Sequence, residues 1–207
     1  MKRTLFRSFL VSVVALAALS RLGIGPVFAG ADPISRRDAA RLQAKIDRIT
    51  KNSSTKLTSG TRTSITEAEL NSYLRYELGD RIPSGVKDPW VSILDENRLG
   101  ARATVDMNEV ARTRKSGNML DPWNLVGGTL PLEVNGVLKT KNGVGTFAVE
   151  SVAISGVPVP SFILQEIVSY YSKSPTSPQG VTLDKPFELP AGIREIQLAR
   201  GQATVVQ

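Results

Sequence analysis

The sequence contains no cysteine and no histidine in 207 residues. Without cysteine the chain can form no disulfide, thiolate nucleophile or iron–sulfur cluster. Without histidine it has no Ser-His-Asp triad, no histidine metal ligand and no histidine proton shuttle. Any catalysis would depend on carboxylates, lysine, serine or tyrosine, and no cofactor or metal is expected.

Acidic residues are scarce near the N-terminus, and this scarcity explains the net charge. The chain carries 26 Lys and Arg against 19 Asp and Glu, a net charge of +7. Residues 1–31 contain four basic residues and no acid, and residues 32–51 contain six basic residues against three acids. Residues 52–207 therefore have a net charge of zero. A neutral domain lacks the basic surface that neutralises phosphates, so no nucleic-acid partner is expected.

Residues 1–31 have the pattern of a secretory signal. Three cations precede an apolar run at residues 9–19, and a small-x-small cleavage sequence follows at residues 29–31. The run is shorter than the about 20 residues that span a bilayer. The sequence predicts an exported chain, periplasmic or extracellular, with an uncleaved membrane anchor as the alternative.

A basic helical arm and linker are predicted for residues 32–56. Ser35 can cap a helix over residues 35–50, with Asp38 as its capping-box partner. Its apolar stripe consists of Ala39, Leu42, Ile46 and Ile49. Either its basic face lies on an anionic membrane surface, or its stripe docks on the domain or on a protein partner. The candidate membrane-facing residues are Arg36, Arg37, Arg41, Lys45 and Arg48.

The remaining domain, residues 57–207, opens with an edge strand predicted near residues 57–65. Thr66 and Glu69 then have the spacing of a capping box at the start of a second helix. The apolar residues of this helix recur with a helical period at Leu70, Tyr73, Leu74 and Leu78. Gly79 marks its predicted end.

Alternating apolar residues predict three antiparallel hairpins. The first turns at residues 95–98, the second at Asn142-Gly143 and the last at Arg200-Gly201. Gly136 and Gly145, within the second hairpin, indicate bending or close approach of a neighbour. Residues 112–128 are predicted to be an irregular apolar loop, either a cap over the core or an exposed binding tip.

A third helix, apolar on more than one face, is predicted from Phe162 to Tyr171 after a cap at Ser161. These elements together predict an α+β fold. In it a curved antiparallel sheet wraps one or two amphipathic helices, beside the N-terminal helical arm.

The carboxylates available for acid–base chemistry are Glu67, Glu69, Asp95, Glu96, Asp106 and Glu109. Capping, turn and strand-end positions account for nearly all of them. The sequence contains no phosphate-binding glycine loop, calcium loop or nucleophile-elbow pattern. What remains is an apolar interior, which is either a groove for acyl chains or a filled core.

Several segments resemble those of small exported bacterial families: Ser64–Leu74, which contains Ile-Thr-Glu-Ala-Glu-Leu-Asn, Asn135–Leu138, Gly143–Val152, Gly156–Pro160 and Phe187–Ile193. Over residues 57–206 their order is similar to the extracytoplasmic phospholipid-binding family of the mycobacterial lipomannan elongation factor. It is similar more loosely to the tubular lipid-binding (TULIP) superfamily. Members with large cavities are often longer, so a shallow groove is expected here.

This resemblance implies a long helix cradled by a curved antiparallel sheet, with lipid tails along the seam. The groove-lining positions that it implies are Leu70, Leu74, Leu78, Val134, Phe147, Ile163, Ile167 and Tyr170. Each of these residues is equally consistent with a plain core.

Three functional hypotheses follow. The leading one is an exported, non-enzymatic protein of the cell envelope that binds a lipid or another hydrophobic ligand. The alternative is an envelope structural or assembly factor that binds another protein through a sheet edge or the first helix. The third is a carboxylate-dependent hydrolase.

Overall fold

The structure, a computed structural model, describes residues 34–53, 60–82, 84–114, 127–160 and 185–207, together with residues 165, 169, 179 and 182. The described part of the chain contains helices and antiparallel strands, so the predicted α+β class is confirmed. In chain order the elements are α1 (Arg36–Asn52), β1 (Arg62–Thr66), α2 (Glu67–Tyr76), a 3₁₀ turn (Gly79–Arg81), β2 (Val86–Ile93), β3 (Arg98–Asp106), α3 (Met107–Arg114), β4 (Thr129–Lys141), β5 (Val144–Ile154), β6 (Val157–Pro158), β7 (Phe187–Glu188), β8 (Glu195–Ala199) and β9 (Gln202–Val206).

Helix α1 forms where the sequence predicts it. The N–H of Asp38 donates to Ser35 Oγ at 3.1 Å, which confirms the predicted cap. The Ser35 N–H donates to Ser72 Oγ at 3.0 Å instead of to Asp38, so the predicted capping box is wrong in that half. The residues of the apolar stripe are only 0% to 3% exposed, and α1 packs against α2. Of the two alternatives for the stripe, the structure shows docking on the domain.

Helix α2 begins with a complete capping box. The Glu69 N–H donates to Thr66 Oγ1 at 3.2 Å, and the Thr66 N–H donates to Glu69 Oε2 at 3.0 Å. The helix ends at Tyr76, and Gly79, its predicted end, opens the 3₁₀ turn that follows. The sequence therefore predicts the start of this helix better than its end.

The strands form two antiparallel sheets where a single sheet is predicted. The three-stranded sheet has the order β1-β9-β8. The six-stranded sheet has the order β2-β3-β4-β5-β6, and β7 pairs with β5. The predicted edge strand is confirmed as β1, although it begins at Arg62. All three predicted hairpins are present.

Two of the three predicted turns have positive φ at both central residues. Glu96 and Asn97 have φ of 60°, and Asn142 and Gly143 have φ of 52° and 82°. Positive φ at both central residues matches the turn to the right-handed twist of the strands. Asn and Gly adopt this region at low cost, which is why these turns can be recognised in the sequence.

Two glycines in the six-stranded sheet lie under aromatic rings. A Cβ atom on Gly136 would meet the Phe147 ring at 2.4 Å, and one on Gly145 would meet the Phe187 ring at 2.6 Å. The rings take the space of the missing side chains, so the predicted close approach at both glycines is confirmed.

The two sheets are joined by polar side chains. Thr140 in β4 bonds to the backbone of Ile196 in β8: its hydroxyl donates to Ile196 O at 2.9 Å and accepts from the Ile196 N–H at 2.7 Å. The Asp95 carboxylate accepts from the backbone N–H and the Nε of Arg200, at 3.1 and 2.9 Å. The first and last hairpin turns are thereby held together.

One helix was not predicted. Met107–Arg114 forms α3, whereas the sequence predicts no helix there and an irregular loop from residue 112. Asp106 starts this helix, because its Oδ1 accepts from the N–H groups of Asn108 and Glu109 at 3.2 and 3.3 Å. A helix of eight residues without a clear apolar period gives little sequence signal. The short strands β6 and β7 were also missed.

Helices and both sheets contribute to one hydrophobic core. Its buried members include Leu42 and Ile49 of α1, Tyr73 of α2, Ile93 of β2 and Val205 of β9. The apolar stripe of α1 is thus part of the core that the sheets share. The predicted signal at residues 1–31, most of the irregular loop and almost all of the third predicted helix lie outside the described residues.

Candidate functional site

Five of the predicted groove positions lie within the described residues, and the structure brings them together in the core. Leu74, Leu78, Val134 and Phe147 belong to the buried cluster, with exposures from 0% to 7%. Leu70 is half-buried and packs against it. A ligand chain would reach the four buried residues only by displacing neighbouring side chains. The other three positions, Ile163, Ile167 and Tyr170, lie outside the described residues.

Apolar side chains remain accessible at one end of the six-stranded sheet. Val157 in β6 is 64% exposed. Leu130, Ile154 and Val159 are half-buried and pack against the core cluster. We call Leu130, Ile154, Val157 and Val159 the apolar rim. The exposed Val157 is the strand partner of Ile154, and Ile154 packs on the core.

The rim is held by the backbone at the end of β5. Ile154 pairs with Val157, and Ala153 pairs with Pro158, around a turn at Ser155-Gly156. The Val159 N–H donates to Val152 O at 2.9 Å, and the Ser155 N–H donates to Pro131 O at 2.8 Å. The sequence predicts the end of a strand at residues 155–160, and Gly156–Pro160 is one of the segments that carry the family resemblance, but no ligand contact is predicted there. The available signal was the alternation Val-Pro-Val-Pro after a Ser-Gly turn.

The five candidate membrane-facing cations divide into two groups. The Arg36 guanidinium lies 4.8 Å from the centroid of the Tyr76 ring, and Lys45 Nζ lies 2.6 Å from both carboxylate oxygens of Glu69. These two cations contact side chains of α2, although Arg36 is also exposed. Arg37, Arg41 and Arg48 are exposed, and Arg41 donates to Asp38 Oδ1 at 2.6 Å.

All six candidate acid–base carboxylates have structural contacts. Three of them bind backbone N–H groups: Glu67 accepts from Ile93, Glu69 caps α2, and Asp106 caps α3. Glu69 also binds Lys45, and the other three lie beside arginines: Asp95 beside Arg200, Glu96 at 3.8 Å from Arg98, and Glu109 beside Arg112. Within the described ranges, no group of three acidic residues is arranged to hold a metal ion.

The polar residues of the Thr-Glu-Ala-Glu-Leu-Asn segment also have local structural roles. Thr66 and Glu69 form the capping box, while Glu67 and Asn71 bind backbone groups of β2. These contacts explain the spacing of this segment without a ligand.

Two carboxylates have altered acidities. The pKa of Asp106 is lowered, chiefly by the hydrogen bond from Lys87 and next by the one from the Glu109 N–H. The pKa of Asp38 is lowered, chiefly by the hydrogen bond from the Ser35 hydroxyl, with a smaller contribution from Arg41. Both groups favour the ionised form, which suits a helix N-terminus.

Comparison with protein-family models and with curated proteins found no match to this chain. In the described ranges, no helix is long and apolar enough to cross a membrane.

Proposed function

We propose that this chain is an exported, non-enzymatic protein of the cell envelope that binds a lipid or another hydrophobic ligand. In this proposal the six-stranded sheet curves around helices, and the apolar chain of the ligand lies along their seam. The observation that carries the proposal is the apolar rim, where exposed and half-buried apolar side chains continue into the core.

A single exposed valine is ordinary on a protein surface. Val157 differs because Ile154, its partner in the sheet, packs on the core, as do Leu130 and Val159. An acyl chain that covered this rim and entered beside it would remove apolar surface from water. Each buried CH₂ group contributes about 0.8 kcal/mol to such binding.

The surroundings of the rim suggest which part of a ligand is recognised. The exposed residues that flank the rim in the chain, Gly127, Gly128, Thr129 and Ser155, carry no charge. The charged residues at the same end of the sheet are paired with each other, Lys87 with Asp106 and Arg112 with Glu109. Recognition through the apolar tail is therefore expected, with little preference for the charge of the headgroup.

The test combines lipid extraction with ligand uptake. Mass spectrometry of organic extracts of the purified protein should find a co-purifying lipid, and a fluorescent fatty acid should bind saturably. Val157→Asp should weaken uptake by about tenfold or more, since it places a charge on the entry path. Val144→Asp is the matched control, because Val144 is also an exposed valine, 43% accessible, but lies at the opposite end of β5.

Absence of both lipid and saturable uptake would overturn the proposal. Equal uptake by Val157→Asp and the unchanged protein would show that the rim is not the entry. A stoichiometric protein partner recovered without lipid would favour the envelope assembly factor instead.

A further inference from the structure

Helix α1 carries an exposed cationic face directly opposite its buried face. Arg37, Arg41, Arg48 and Lys51 are all exposed. They occupy positions i, i+4, i+11 and i+14, with the exposed Ala44 at i+7. At 3.6 residues per turn these positions fall within an arc of about 80° and extend over about 21 Å. We call these four cations the cationic stripe.

The apolar side of α1 is unavailable to a membrane. The core buries the four residues of this side to exposures of 3% or less: Ala39, Leu42, Ile46 and Ile49. The helix therefore cannot insert apolar residues between lipids as a free amphipathic helix does. Only its outer face is left for an interaction, and that face is basic.

We propose that the cationic stripe is a docking surface for an anionic lipid bilayer, which it contacts without insertion. None of the four stripe positions is acidic. The two acids of the helix, Asp38 and Asp47, are half-buried beside the stripe, and Asp38 pairs with Arg41 at 2.6 Å. A straight row of cations complements a planar layer of phosphates. Each cation near such a surface contributes about 1 kcal/mol, and the contribution decays within a Debye length of about 8 Å at physiological salt.

The form of the stripe favours a bilayer over other polyanions. It lacks the Asn, Gln and aromatic side chains that read or stack on nucleic-acid bases. Residues 52–207 balance at zero charge, so no second basic region is expected to extend the contact around a duplex.

The test measures partition of the full chain, in the form that the host produces, onto vesicles by sedimentation. Phosphatidylcholine vesicles report binding through any apolar segment, and the gain on adding phosphatidylglycerol reports the electrostatic part. In the triple variant Arg37→Gln/Arg41→Gln/Arg48→Gln, the increase in the partition coefficient caused by phosphatidylglycerol should be smaller by a factor on the order of 100, at about 1 kcal/mol per cation removed. Raising salt to about 1 M, where the Debye length is about 3 Å, should have a similar effect.

Two control variants separate the stripe from net charge and from misfolding. Lys139→Gln/Lys141→Gln/Lys185→Gln removes three exposed cations elsewhere and should retain the gain. Arg37→Lys/Arg41→Lys/Arg48→Lys keeps the charge and should also retain it. Far-ultraviolet circular dichroism should be unchanged in all three variants.

Three results would overturn the proposal: no preference for phosphatidylglycerol, an equal loss in both Gln variants, or stronger competition by a DNA duplex or polyglutamate than by vesicles. Fatty-acid uptake is measured separately, without vesicles. Failure of this proposal therefore leaves the proposed ligand function standing, and the reverse also holds.

Discussion

The side-chain amide of Asn71 pairs with the backbone of Val91 as a neighbouring strand would. Nδ2 donates to Val91 O at 2.8 Å, and Oδ1 accepts from the Val91 N–H at 2.8 Å. Two residues along, Glu67 Oε2 accepts from the Ile93 N–H at 2.8 Å. Side chains of α2 thus bind the backbone N–H and C=O groups along the edge of β2. The helix thereby covers a strand edge that could otherwise pair with another chain.

Asn71→Ala should destabilise the protein by about 2–4 kcal/mol, because it leaves a buried N–H and a buried C=O of Val91 without partners. The measurement is the free energy of unfolding in urea. Asn108→Ala is the control: Asn108 is exposed in α3, and a change within about 0.5 kcal/mol is expected. Equal effects of the two substitutions would contradict the role of Asn71.

The Lys45–Glu69 pair should show measurable coupling. Its side chains are 25% and 8% exposed, and Lys45 contacts both carboxylate oxygens. A double-mutant cycle with Lys45→Met and Glu69→Gln should give about 1–2 kcal/mol, reduced from the value for a fully buried pair because Lys45 is partly solvated.

The matched pair is Arg75–Asp88, whose side chains are 57% and 75% exposed. Its coupling should fall below about 0.5 kcal/mol, because solvent screens exposed charges. Coupling energies of equal size would show that burial does not strengthen the Lys45–Glu69 contact.

Gly136→Ala should destabilise the six-stranded sheet by about 1–3 kcal/mol, because the added methyl group meets the Phe147 ring and Ala148 O at 2.4 and 2.7 Å. Gly79→Ala is the control, since a Cβ atom there has nothing within 4 Å. It should leave the stability unchanged or raise it by up to about 1 kcal/mol. Thermal unfolding of both variants tests this contrast, and a stable Gly136→Ala protein would contradict it.

Stability should depend on pH through Asp106. Its folded pKa is lowered by Lys87 and by the Glu109 N–H, so its contribution is complete above the unfolded pKa of about 3.9 and is lost as pH falls through the folded pKa. Asp106→Asn should therefore be less stable than the unchanged protein at neutral pH. The difference should shrink at pH below about 4. Urea unfolding across this range measures it, and a difference independent of pH would contradict the assignment.

Elements that depend on residues close together in the chain could be predicted from the sequence. The cap at Ser35, the capping box of Thr66 and Glu69, and the Asn142-Gly143 turn are all found where the sequence predicts them. Each involves residues within one turn of helix or one hairpin. Periodicity similarly identified the buried face of α1, because a helix repeats its faces every 3.6 residues.

Contacts between groups that are far apart in the chain could not be predicted, because they depend on how the elements pack. In the sequence, Asn71 is one of several polar residues of a helix, and only the packing of β2 beside α2 gives it Val91 as a hydrogen-bond partner. Asp95 is predicted as a turn residue, and only the fold brings Arg200 within hydrogen-bond distance of it. The division into two sheets and the exposure of Val157 at the rim have the same origin. Local patterns specify conformation and burial, whereas hydrogen-bond partners far apart in the chain are fixed by packing, since a buried polar group bonds to whatever group the fold brings within reach.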